Sequence, residues 1–331
     1  MKTQIKPPAV PEAPKHWLFG STYYFFKDAY GFLEENTRRF DKVYKMTNPI
    51  RNIYISHHPD AVKHVLQDNN KNYHKSFGYE ILKILLGNGL LTSEGDFWRK
   101  QRRLAQPAFH RQRLADLAGL MLQYANEQSD AIAQKAEKSP VNIAPEMMEL
   151  TLKIVAKSLF GSDVDHLVDK VGHNLDVVIE AAMDRIRNPL IPPPWVPIPK
   201  NIREKKSVNA LIDVVSGIIK KRRQSGEEKD DLLGMLMAAK DEDSGEQMDD
   251  QQLLDECMTI FLAGHETTAV GMSWLVYCVT QNPEVAQQLY NEIDAVLGKE
   301  KLQLAHLRNL PYTKMVVDEA LRLYPPAWLI G

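Results

Sequence analysis

Residues 257–280 read CMTIFLAGHETTAVGMSWLVYCVT. The run is long and mostly apolar, so hydropathy alone would allow a helix across a bilayer. His265 and Glu266 stand at its middle, where a lipid-facing charge is expensive. A buried central helix of a large soluble protein is the better reading. On such a helix Gly264, Thr267, Thr268 and Gly271, spaced by three, four and seven, share a face. Two glycines on that face would open a groove where a flat ligand approaches the backbone. A threonine there can turn its hydroxyl to the carbonyl one turn earlier and bend the helix. Glu266 adds a carboxylate beside the opening, suited to relaying protons. Close packing of another helix on the small residues is the plain alternative for the Gly and Thr positions. It does not account for a glutamate in so apolar a setting.

The same stretch invites a zinc reading, because His265-Glu266 begins an HExxH pattern. Ala269 stands where the second histidine belongs, and the loss of that ligand removes the metal-binding face. Near the end, Glu319-Ala320-Leu321-Arg322 precedes Leu323-Tyr324-Pro325-Pro326. An ExxR pair alone is weak, since Glu35-Asn36-Thr37-Arg38 also fits, and its plain reading is an exposed helical ion pair. The Tyr-Pro-Pro sequel requires the helix to stop, and the pair could lock it to the following chain. Trp98 and Arg102 lie four apart on a basic segment, where an indole N–H and a guanidinium on one face suit a ligand carboxylate. The alternative is a core tryptophan beside a surface arginine. No phosphate-cradling motif is present, because Gly87-Asn88-Gly89 lacks a third glycine and no GxxxxGK occurs.

Composition excludes several classes. The 331 residues carry a net charge of -2, with 44% hydrophobic and 25% charged residues, which suits a soluble globular protein with no polyanionic partner. The basic cluster around residues 99–113 lacks interleaved aromatics, against single-stranded nucleic acid, but could dock an acidic partner. Cys257 and Cys278 sit on one helix about 30 Å apart at 1.5 Å rise per residue and cannot bridge. The proline-rich start, with Pro7, Pro8, Pro11 and Pro14, has no signal-peptide core. A cytoplasmic protein without a membrane anchor is expected.

Helical patterns dominate the rest. Residues 43–46 and 52–56 read as two short strands around Thr47-Asn48-Pro49. Pro59 opens a helix with an apolar face of Val62, Val65 and Leu66. Residues 69–89 look irregular. A helix from near Gly95 should end or kink at Pro107. Helices follow over about 112–137 and 144–160, the second capped by Gly161. The prolines of 190–199 mark a loop, and the acidic stretch 240–250 reads as a solvated one. Asp249 with Gln252 resembles a capping box for the central helix.

The basic Trp98–Arg103 segment, then Ala-Gly-His-Glu-Thr-Thr, then Glu-Ala-Leu-Arg with Leu-Tyr-Pro-Pro follow the order seen in cytochrome P-450 monooxygenases. The resemblance covers nearly the whole chain. It implies a mainly α fold with a small β-sheet, truncated after the ExxR helix, so that residues 1–331 form a partial P-450 domain. It implies heme b as cofactor and O2 as co-substrate. Trp98 and Arg102 would bind a heme propionate, and Ala263 and Gly264 would lie on the oxygen side of the heme. Glu266 and Thr267 would be catalytic, delivering protons, and Glu319 and Arg322 structural. The heme's cysteine ligand is expected beyond Gly331, because Cys257 and Cys278 flank the oxygen-side motif on its own helix. The chain would then be an N-terminal fragment, inactive alone, of a soluble bacterial-type monooxygenase similar to fatty-acid hydroxylases. A monomer is expected, with an apolar substrate and a ferredoxin-, flavodoxin- or reductase-type electron donor docking near the basic cluster. Residues 77–91, 190–195 and Phe261-Leu262 are candidate pocket walls. The competing reading is a non-catalytic helical domain.

Overall fold

The computed structural model describes residues 9–48, 51–161, 168–187 and 191–331. The described chain is mainly helical with one two-stranded sheet. It divides into two units: 1–75 with 184–191, and 76–183 with 192–331.

In the first unit, α1 (Thr22–Lys27) and α2 (Ala29–Arg39) precede β1 (Val43–Thr47) and β2 (Asn52–Ser56). The strands pair antiparallel, with Val43 opposite Ser56 and Thr47 opposite Asn52. Tyr44 and Met46 point inward at alternate positions and meet Ala13 and Phe32 in a small core. Pro49 of the expected turn lies outside the described residues, as do Pro7 and Pro8. Pro59 does open a helix, α3 (Pro59–Lys63), which continues as a π-helical turn over His64–Asp68. The expected apolar face there is not covered: Val62 and Leu66 are exposed.

The second unit carries α4 (Gly78–Leu86), α5 (Gly95–Ala105), α6 (Arg111–Ala136), α7 (Ile143–Phe160), most of α8 (Val168–Arg187) and α9 (Pro199–Ser225). Next come α10 (Leu232–Ala238), α11 (Asp250–Gln281), α12 (Pro283–Leu297) and α13 (Pro311–Leu323). Helix α4 corrects the irregular reading of 69–89. Its Ile81, Leu82, Leu85 and Leu86 keep helical spacing, which the glycines on either side of it obscured. Pro107 ends α5 as expected, and a 3-10 turn, Gln106–Phe109, follows. Gly161 terminates α7 at φ +60°, a conformation that favours glycine.

The core of this unit gathers on the first half of α11. Leu253, Cys257 and Phe261 pack among Leu86, Leu104, Leu159, Leu175, Leu211, Ile219, Leu233 and Leu236. A buried ion pair lies at its edge. The Arg222 guanidinium donates to Asp231 on both oxygens, at 2.5 and 2.6 Å, and to the Phe160 carbonyl at 2.7 Å. It thereby ties the ends of α7 and α9 to the start of α10. No described helix is long and apolar enough to cross a membrane.

Candidate functional site

Helix α11 is the longest described element, 32 residues, and its burial gives way from its middle onward. Its start is fixed by Asp249, whose carboxylate accepts from the Gln252 N–H at 2.7 Å. The expected capping box is only half made, because the Gln252 amide turns instead to Glu256 at 2.7 Å. Past Phe261 the burial changes: Ala263, Thr267 and Thr268 are exposed, while His265 and Ala269 stay buried. The Thr267 hydroxyl donates to the Ala263 carbonyl at 2.5 Å, as the spacing suggested. This leaves the Thr267 oxygen free to accept a proton donor from the open side.

The two glycines do not share one open groove. A Cβ built on Gly264 would come within 3.0 Å of Val155 Cγ2 on α7, whereas one on Gly271 would meet Leu321 and Pro326 at 3.4 and 3.5 Å. Packing against Val155 accounts for the missing side chain at 264, and the exposed positions of this turn are Ala263, Thr267 and Thr268.

Burial shifts two neighbouring titratable groups toward their neutral forms. His265 is buried, and its Nε2 lies 3.2 Å from the Met148 carbonyl. A carbonyl oxygen only accepts, so Nε2 carries the proton and Nδ1, which has no partner, is bare. Burial pushes the His265 pKa down. Glu266 is half-buried, and burial pushes its pKa up, helped by the negative charge of Asp176. A carboxyl with a raised pKa keeps its proton closer to neutral pH, as a proton donor requires.

Helix α5 presents the other predicted pair. The Arg102 guanidinium stacks over the Trp98 ring, 5.4 Å from its centroid. Its neighbours are all paired: Arg99 with Asp96 at 2.6 Å, Lys100 with Glu246, and Arg103 with Asp241 and Asp243, both at 2.6 Å. Arg113 likewise pairs with Asp230 at 2.8 Å. Arg102 has no carboxylate partner among the described residues. The acidic stretch 240–250 is therefore not simply solvated. Asp241 is buried and bonded to Arg103, which with backbone N–H donors lowers its pKa to about 2. These pairings neutralise most of the basic cluster as a docking charge for an acidic partner.

Glu319 and Arg322 form a two-bonded pair at 2.6 and 2.7 Å, exposed on α13 and closed on itself. The expected tie to the chain after the helix is not made among the described contacts, since side chains three apart on one face reach each other first. Of the candidate pocket walls, residue 190 lies outside the described residues, and Phe261 is core. The thiols offer no metal ligand here. Cys257 is buried in the core with its pKa pushed far up, Cys278 is half-buried with its pKa raised by burial, and both sit on α11. No cluster of three or more His, Cys, Asp or Glu capable of holding a metal occurs among the described residues.

Sequence reasoning passed over Asp255 and Glu256. Asp255 accepts from the Asn88 N–H at 2.7 Å and Glu256 from the Leu90 N–H at 3.0 Å. Two adjacent acids inside a core-facing helix were the available signal.

A family model described as Cytochrome P450 matches residues 10–330. Cyclooctatin synthase of Streptomyces melanosporofaciens is 36% identical over 84% of this chain and 61% of its own length. Cyclooctat-9-en-7-ol 5-monooxygenase of the same organism is 31% identical over 99% of this chain and 72% of its own length. Pentalenene oxygenase of Streptomyces avermitilis is 31% identical over 83% of this chain and 61% of its own length. The chain thus spans between 61% and 72% of the length of these curated relatives. With the central helix, the basic helix and the ExxR helix all inside the matched span, this chain belongs to the cytochrome P450 family.

Proposed function

We propose that the chain forms the oxygen-side part of a heme-dependent monooxygenase that inserts one atom of dioxygen into an apolar organic substrate. The observation that carries this reading is the half-buried Glu266 with its raised pKa, beside the exposed residues Ala263 and Thr267 where the buried part of α11 ends. The residues fit a heme at a second point. Arg102 is an arginine without a carboxylate, stacked on Trp98, in a helix whose other cations are paired. A heme propionate would complete it. When bound, heme supplies reductive activation of dioxygen, with two electrons from a separate donor and two protons, one oxygen going to substrate and the other to water.

The chain's own residues divide the remaining work. Arg102 and Trp98 hold the propionate. Ala263 and Gly264 keep α11 slim, Ala263 toward the open side and Gly264 toward α7. Glu266 holds a proton at its carboxyl, and the Thr267 oxygen receives it by way of water. His265, neutral and buried, anchors this turn of α11 to the Met148 carbonyl. Neither Cys257 nor Cys278 serves as thiolate ligand, because both lie on α11 itself.

The substrate is an apolar carbocycle. Two relatives carry substrates of that kind in their names, pentalenene and cyclooctat-9-en-7-ol, and none of the three relatives above names a fatty acid. A carbon monoxide difference spectrum of the reduced, heme-loaded, full-length protein tests the class. A thiolate-type Soret band is expected there, and its absence would overturn the reading. The 331-residue chain alone is expected to give no such band, since its two thiols are misplaced. Turnover of a cyclic alkene but not of a long-chain fatty acid would support the substrate class, and the reverse would return the fatty acid.

A further inference from the structure

We propose that Asp255 and Glu256 are positioning residues that clamp the loop 87–91 onto α11 and so fix the end wall of the substrate space along Ala263 and Thr267. The inference rests on the monooxygenase reading above. Glu256, Thr259, Ala263 and Thr267 follow one another at spacings of three and four, so they lie along one face of α11. The first two are buried and the last two are exposed. Gly89 of the loop lies against Thr259, the last buried residue of the four.

The loop is held at close range by both chains of contact. Asn88 and Leu90 donate their backbone N–H groups to Asp255 at 2.7 Å and to Glu256 at 3.0 Å. The two carboxylates are braced from their own helix, Asp255 by the Gln251 amide at 2.8 Å and Glu256 by the Gln252 amide at 2.7 Å. Bonds from backbone N–H to carboxylate are among the stronger ones a loop can make. Gly89 allows the approach. A Cβ there would stand 2.2 Å from Thr259 Oγ1 and 2.7 Å from the Asp255 carbonyl. Gly87, at φ +55°, turns the chain out of α4 and would likewise collide with the Asp255 carboxylate. Thr92 closes the far side, its hydroxyl donating to the Gly87 carbonyl at 2.8 Å.

The result is a loop pinned at alternate residues. Leu90 packs on the core, while Leu91, beside it, is an exposed leucine. Thr259, under Gly89, is one helical turn, about 6 Å, before Ala263. Moving the clamp would move Leu91 and change how far an apolar substrate extends along the open face. It would leave the proton-handling pair Glu266 and Thr267 in place.

Site-resolved amide hydrogen exchange on the chain, joined to product analysis on the full-length heme-loaded protein, tests this. Asp255→Ala and Glu256→Ala are expected to speed exchange at Asn88 and Leu90 by about tenfold or more, with α7 and α9 unchanged. Asp255→Asn and Glu256→Gln keep an acceptor oxygen and should restore slow exchange. Gly89→Ala lifts the loop without touching either acid and should reproduce the fast exchange even if an alanine variant fails to fold. Exchange that rises equally in α7 and α9, or not at all, would overturn the clamp. With pentalenene and lauric acid as probes, a shifted ratio of oxidised products in Gly89→Ala and the alanine variants is expected. An unchanged ratio would overturn the wall role. A wild-type protein that oxidises neither probe would instead overturn the monooxygenase reading, and the wall role with it.

Discussion

The first half of α11 and the segment running from Trp274 through α13 use similar residue types but differ in what covers them. From Leu253 to Phe261 the helix is enclosed, its Leu253 and Cys257 fully buried among α4, α5, α7, α8, α9 and α10. From Trp274 on, Trp274, Tyr277, Met315, Leu321 and Leu323 are exposed, α12 buries no residue, and α13 buries only Ala320. What holds this second region is local. Trp274 and Tyr324 stack at 4.2 Å and 4°, and Glu292 accepts from the Tyr312 and Thr313 N–H groups at 2.7 and 2.8 Å. The lesson is that apolar content does not make a core; enclosure from several directions does. The candidate site lies where the enclosed part gives way.

The largest expected effect strikes the enclosed region. Asp231→Ala removes a two-bonded carboxylate from the buried Arg222 and should cost about 3–5 kcal/mol in urea unfolding. A cost near zero would mean that the region is not enclosed in solution. Next, Leu253→Ala should cost about 2–5 kcal/mol through transfer and cavity terms, whereas Leu321→Ala on α13 should stay within about 0.5 kcal/mol. Equal costs would erase the contrast between the two regions.

The boundary itself should respond to pH. His265 has a lowered folded pKa, so the stability that its neutral form contributes is complete above the ordinary value of 6.5 and is lost as pH falls through the folded value. His265→Gln should flatten that acid limb of the stability profile. Glu266 acts in the opposite sense. Its folded pKa is raised, so its contribution is complete below 4.5 and is lost as pH rises through the folded value. Glu266→Gln should flatten the upper limb, and an unaltered profile would remove the basis for a proton held there. The smallest effect is expected at Glu319→Gln, where an exposed ion pair of adjacent turns is broken. No measurable change in the thermal midpoint of the isolated chain is expected. A clear drop would show that the pair holds more than itself.

Much of the fold was legible because it is written in local chemistry. Prolines at 59 and 107, Gly161 and the alternating residues of β1 act within a few positions, and the structure follows them. Helix α4 was hidden because glycines flank its apolar pattern on both sides. That Gly264 and Gly271 face different neighbours was not legible, because spacing tells which residues share a face, not which neighbour occupies it. The free Arg102 could not be singled out either, since its paired neighbours bond to acids far along the chain.

The sequence by itself determined the order of elements and the family, because helix periodicity, capping residues and motif order are properties of the chain read along its length. The tertiary structure alone decided which acids work as partners and which as solvated charge. Asp241, Asp255 and Glu256 gain their roles from groups more than a hundred residues away, and burial is what gives Glu266 its raised pKa and His265 its lowered one. Desolvation and long-range pairing are set by packing, so no reading of spacing alone could assign them.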